Sequence, residues 1–198
     1  MDWIKHFSFS YVLKLIFLTI ILDYFSIGYH GLVSPEGGSY SMFLDHYLNY
    51  IQWTRNILMY GSNFLTHLLG TNSYIEGTQI IKVGSHIKVD IWLPCLGIGI
   101  MSFWTAFIVT NGGPLKNKLQ WWLAGLFFIC LVNCVRISIL LVALDRGWGQ
   151  FQSLDHHDLF NIAAYTLIGI LMYCYNEGTQ GAPDSLETLP TASKLPML

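Results

Sequence analysis

Three separated clusters in the 198-residue sequence carry side chains able to do covalent chemistry. Pro94-Cys95 opens one apolar run. Proline suits the first turn of a helix, so the spacing predicts Cys95 at a helix start, where unpaired backbone N–H groups favour a thiolate. The thiolate is the reactive form, because a thiol at its ordinary pKa is only slightly ionised near neutrality. Gly97 and Gly99 leave room behind it for a substrate backbone or for close helix packing. Arg136 stands inside a later apolar run, where a guanidinium costs roughly 2.5 to 3.5 kcal/mol even on a lenient insertion scale. Asn133, three positions earlier, faces nearly the same way on a helix. Asp155-His156-His157-Asp158 opens the last run. A helix N-terminus favours neutral imidazole and the two carboxylates favour the cation, so either ring can be tuned toward neutral pH. A nucleophile, a cation and an acid/base together suit acyl transfer. His157 would take the thiol proton, Cys95 would attack a carbonyl, and Arg136 with backbone N–H groups would stabilise the oxyanion. Each cluster also has a plain structural alternative: a packed cysteine, a snorkelling arginine with a helix-packing asparagine, and solvated loop histidines beside capping acids.

The elements that must position these groups follow from composition. Hydrophobic residues make up 53% of the chain, charged residues only 11%, and mean hydropathy is +0.46. Soluble domains carry about 25% charged residues. So few charges cannot cover a water-facing surface, which excludes a disordered chain, a nucleic-acid-binding module and an ordinary soluble enzyme. The net charge of -2, with scattered Lys and Arg, points to no polyanionic partner. Cys95, Cys130, Cys134 and Cys174 occupy or adjoin apolar runs without CxxC or zinc spacing, so neither a disulfide framework nor a metal is expected. Cys130 and Cys134, four apart, read as packing residues on one helix face.

The sequence predicts an all-α polytopic membrane bundle of four spans: Tyr11 to Val33, Leu93 to Thr110, Leu119 to Leu144 and Leu159 to Tyr175. The first, interrupted by Lys14 and Asp23, lacks a small-residue cleavage site and is read as retained. Lys5, Lys14, Lys116 and Lys118 mark the cytoplasmic side, which puts both termini inside and Cys95, Leu144 and His157 toward the outer face of the plasma (inner) membrane. Counting from the interfacial Trp121, fifteen residues at about 1.5 Å each carry Arg136 roughly 23 Å across a core of about 30 Å. Residues 34–92 are then extracytoplasmic. Phe43 to Leu69 reads as an amphipathic helix in the interface, with a second crossing as the alternative. Thr78 to Val83 and His86 to Ile91, around Gly84-Ser85, read as a β-hairpin. Asp145 to Asp158 reads as a polar loop. Residues 1–176 form the embedded domain and 177–198 a disordered cytoplasmic tail.

At the chemical positions the chain resembles the exosortase and archaeosortase family of membrane-embedded cysteine transpeptidases. The resemblance lies in Cys95-Leu96-Gly97, Asn133-Cys134-Val135-Arg136 and His157-Asp158-Leu159-Phe160-Asn161, and covers roughly Gly77 to Tyr173. It implies that Cys95 is the nucleophile, Arg136 the charge-stabilising residue and His157 the acid/base, with Asn133 supporting and His156 one residue away as the alternative base. It implies no cofactor. The implied substrate is an exported protein with a C-terminal sorting signal: a short recognition motif, a transmembrane helix and a basic end. Cleavage through a thioester would pass the new carboxyl end to water or to a lipid or glycan acceptor at the surface. The hairpin could hold the recognition motif by adding a strand. Two departures stand out: Asn161 where many members have Gly, and a chain with about half as many spans as the commoner members, as in a compact form.

Two other classes compete. A haem or metal protein would use His30, His46, His67, His86, His156 and His157, but these fall at ends and in surface segments instead of on facing helices. A non-enzymatic assembly or transport subunit would pair Arg136 with an acid on a partner helix, or with Asp23 of the same chain.

Overall fold

The computed structural model describes residues 9–35, 39–147 and 156–180, with the side chains of residues 156–161, 179 and 180 left aside. The described chain is mostly helical: α1 (Phe9–Val33), α2 (Met42–Leu48), α3 (Tyr50–Leu68), α4 (Ile98–Thr110), α5 (Leu115–Asp145) and α6 (His156–Gln180). A small antiparallel sheet of β1 (Ser73–Glu76), β2 (Gln79–Lys82) and β3 (Lys88–Asp90) follows α3, and a 3-10 turn, Leu93–Leu96, leads into α4. Among the described residues, α1 and α5 are long and apolar enough to cross a membrane, and α4 is a shorter apolar helix. Ile16, Phe17, Ile20, Ile21 and Phe25 stand exposed along α1. A row of this kind suits hydrocarbon and not water.

Helix α5 is the mast on which the rest is hung. Its first half takes α4 antiparallel, and the contact is close because Gly125 has no side chain: a Cβ there would collide with the Trp104 indole. Trp104 is fully buried, its indole N–H donates to the Trp122 carbonyl at 3.3 Å, and the Trp122 indole donates to Thr105 Oγ1 at 3.0 Å. Helix α1 lies along α4, tied at one end where the Asn111 amide donates to the Tyr11 hydroxyl. Helix α6 is pinned at the same end, with the Tyr175 hydroxyl on the Gly112 carbonyl and its ring edge-on to Phe107 and Trp121. Leu15, Trp104, Phe107, Ile129, Leu171 and Tyr175 form this core.

The second half of α5 carries α3. A Cβ at Gly61 would come within 2.7 Å of Cys134 Sγ, and Ser138 Oγ lies 2.9 Å from the Ser62 carbonyl and 2.7 Å from that of Cys134. Hydroxyls that bond the carbonyl four residues back leave no stray donor in an apolar setting, as Thr19, Ser26 and Thr105 also do. The sheet is fastened to the end of the mast by an ion pair between Lys82 and Asp145, whose carboxylate also accepts from Thr71. Arg146 donates to the Leu69 carbonyl at the end of α3. The second core, with Leu58, Ile80, Ile91, Leu96 and Leu141, fills the space between α3, the sheet and α5.

Several expectations need correction in detail. The segment read as one helix over 43–69 is two, broken at Asn49, whose side chain accepts from the Gln52 N–H and donates to Asp45 at 2.7 Å. The hairpin gains a third strand: β1 pairs with β2 across a two-residue turn in which Gly77 takes φ +59°. Strand β1 lies between the helix expected to Leu69 and the hairpin expected from Thr78, where the sequence suggests no element. The Asp145 to Asp158 loop is shorter, since α5 runs through Asp145 and α6 begins at His156. Helix α6 reaches Gln180, and the rest of the tail lies outside the described residues. The Gly125 contact gives a direct test of this packing. Gly125→Val is expected to destabilise the purified protein by about 1 to 3 kcal/mol, through overpacking against Trp104. Gly28→Ala, which meets no atom within 4 Å, should leave the thermal midpoint in detergent unchanged.

Candidate active site

Cys95 does not start a long helix. It sits in the 3-10 turn Leu93–Leu96, and its backbone N–H is already bonded to the Trp92 carbonyl at 2.9 Å. The turn ends at Gly97, whose φ of +71° only glycine adopts without strain, and α4 begins at Ile98 with its first bond from the Met101 N–H to the Gly97 carbonyl. The unpaired N–H groups expected around Cys95 therefore belong to the residues just after it, at the head of α4. The turn forms because Pro94 supplies no donor and pre-sets its φ, while Gly97 permits the left-handed exit that ends it.

Asn133 braces that exit. It is buried at 6% exposure, its amide lies 3.4 Å from the Leu96 carbonyl, and a Cβ on Gly97 would collide with it. One turn further along α5 stands Arg136, half-buried. Asn133 and Arg136 line a cavity of about 560 Å³ together with Pro94 and Gly97, the residues flanking Cys95, and with Asp23 from α1 and Tyr165 from α6. The remaining wall is apolar, from Ile27, Ile98, Ile100, Phe103 and Ile168. The half-buried Cys95 side chain packs against the second core.

The structure thus brings the cysteine turn, Asn133 and Arg136 to one place. His156 and His157 open α6, where the backbone is helical; their side chains and Asp155 lie outside the described residues. Further along α6 the buried face runs through Ile168, Leu171 and Tyr175. Sequence reasoning missed Tyr165 and Ile168 altogether, and nothing in an apolar run marks one tyrosine as facing a cavity. Asp23 was legible as a charge inside a span. It does line the cavity with Arg136, but among the described residues it makes no ion pair.

A family model described as transmembrane exosortase matches residues 25–174. The chain belongs to the transmembrane exosortase family. The match takes in the cysteine turn, the Asn133 and Arg136 stretch of α5 and the first turns of α6. No curated protein and no solved structure matches the chain. Family membership makes this a membrane protein of a protease and transpeptidase class. Histidines away from the cavity have local duties: His67 Nε2 lies 2.7 Å from the Ser73 carbonyl, and His46 meets the Tyr47 ring edge-on. Among the described residues no three His, Cys, Asp or Glu side chains gather as a metal site would need. The brace at Gly97 predicts that Gly97→Ala, strained by its φ and driven into Asn133, lowers family-type processing at least about tenfold. Asn133→Ala in the same chain should restore only part of the loss, since a left-handed alanine still costs about 1 kcal/mol; gel analysis of a co-expressed substrate measures both.

Proposed function

We propose that this exosortase is a membrane-embedded cysteine transpeptidase that cleaves the C-terminal sorting signal of exported proteins through a thioester. The observation that carries the reading is the shared cavity: the residues flanking Cys95 line it with Arg136 and Asn133, at the open head of α4. In this reading α1, the 3-10 turn with α4, α5 and α6 are four spans of the plasma (inner) membrane. Both termini are cytoplasmic and the sheet end is extracytoplasmic. The basic Lys116 and Lys118 at the start of α5 support that orientation.

The steps follow from the groups available. The thiol of Cys95 first leaves its apolar contact by a change of side-chain rotamer and gives its proton to His157. The sulfur attacks the scissile carbonyl carbon, and the oxyanion forms between Arg136 and the unpaired N–H groups of Ile98 and Gly99. A permanently charged guanidinium is suited to a site at this depth, where an ammonium could shed its proton. Collapse breaks the C–N bond, the imidazolium returns its proton to the departing amine, and a thioester remains on Cys95. Water or the amine or hydroxyl of a surface lipid or glycan then attacks the thioester, losing its proton to His157 as the thiolate leaves. His156, one residue earlier, is the alternative base.

The experiment is co-expression of a protein with a candidate sorting signal, followed on a gel. Cys95→Ala is expected to abolish processing and Arg136→Ala to lower it at least about a hundredfold, the scale of losing an oxyanion donor. His157→Ala should fall by a similar factor and His156→Ala by less than about threefold, consistent with a general base being worth 10² to 10⁴. Full processing by Cys95→Ala would remove the mechanism. An Arg136 variant that is inactive only through loss of a partner protein in pull-down would favour the assembly-subunit reading.

A further inference from the structure

A second cavity, of about 280 Å³, lies where α1 ends and α2 and α3 begin, and the mechanism above makes no use of it. Its polar groups divide into two sets. Asp45 accepts from Tyr40 and from Asn49, Asn49 also accepts from the Gln52 N–H, and Gln52 accepts from Arg55 while donating to Asn56. The acceptors of the pocket are thus committed to partners within the fold. The groups left over are donors. Arg55 Nε is buried with no partner, and among the described residues the His30 ring and the Ser34 hydroxyl form no hydrogen bond. A buried guanidinium N–H without an acceptor is costly, and what satisfies it is an oxyanion.

Depth narrows the source of that oxyanion. Val33, at the last turn of membrane-crossing α1, lines the pocket, so the pocket stands where the chain leaves hydrocarbon, at the level of lipid headgroups. Beside it Met42, Phe43 and Tyr47 of α2 are exposed and apolar, as a segment lying on acyl chains would be. We propose that this pocket binds the phosphodiester of a membrane phospholipid, with the Arg55 guanidinium, the His30 ring and the Ser34 hydroxyl as its donors. The inference is independent of the cysteine mechanism and holds whichever reaction the first cavity performs.

Native mass spectrometry of the full-length protein tests it, using detergent micelles doped with phosphatidylglycerol, phosphatidylethanolamine or diacylglycerol of the same acyl chains. The wild type is expected to retain both phospholipids at least about tenfold over diacylglycerol, and Arg55→Gln and His30→Ala to lose that preference. Arg146→Gln, whose side chain is bonded to α3 elsewhere, should keep it. Should Arg55→Gln elute aggregated on gel filtration, Arg55→Lys and Ser34→Ala take its place, with a loss of at least about threefold expected for each. Equal retention of diacylglycerol, or unchanged retention by the folded variants, overturns the proposal. Displacement of bound phospholipid by millimolar inorganic phosphate also overturns it, since that marks a site for the free anion.

Discussion

Helix α4 is shorter than a bilayer crossing needs. Its thirteen residues rise about 20 Å, against roughly 30 Å of hydrocarbon. The chain makes up part of the distance with a 3-10 turn, whose steeper rise per residue and tighter radius suit a short connector. A full-length helix would have packed side chains into the space that is now a cavity. The same shortfall exposes the head of α4, so unsatisfied N–H groups face the cavity instead of bulk water. Everything chemical about the site depends on that helix stopping where Gly97 turns it.

A truncated helix in an apolar setting needs bracing, and α5 supplies it from one continuous element. Its contacts sort by side-chain size. Gly125 admits the Trp104 ring at one level, Asn133 meets the Leu96 carbonyl at the next, and Cys134 and Ser138 let α3 approach on another face. Apolar burial alone does little to hold helices together in lipid, where tails are as apolar as leucine; close approach of small residues and interhelical hydrogen bonds carry the contact. The Lys82 and Asp145 pair extends the mast to the sheet, and the sheet with α3 closes the far side of the cysteine turn. Cys95 therefore lies on the boundary between an apolar core and a partly polar cavity.

The long helices α1 and α5 were legible because long apolar runs leave few alternatives, and Arg136 and Asn133 stood out as polar residues within such a run, which the structure places on one cavity. The breaks were not. Nothing in Phe43 to Leu69 separates two helices until Asn49 is seen to bond both Asp45 and the next helix's first turn. β1 was hidden because Tyr74 and Ile75 make too short a run to show a period of two. Pro94 reads from the sequence as the first turn of the long helix, but it opens a 3-10 turn instead; proline starts either, and the choice rests with Gly97. The cavity wall from α6 could not be foreseen, since Tyr165 and Ile168 meet α1 and α4 only in three dimensions.

The placement of Asp23 bears on what the cavity is for. A carboxylate on α1 and a guanidinium on α5 line one space at membrane depth, and joining them directly would be the simplest way to offset the cost of both. Among the described residues Asp23 makes no ion pair, so its carboxyl group faces the cavity instead of being used up in a contact between helices. A peptide group entering that space offers an N–H to a carboxyl oxygen and a carbonyl to a donor on the opposite wall, as Asn133 and Arg136 of α5 are. Polar side chains from two helices on an otherwise apolar wall distinguish this cavity from a packing defect, which would be lined by apolar groups alone.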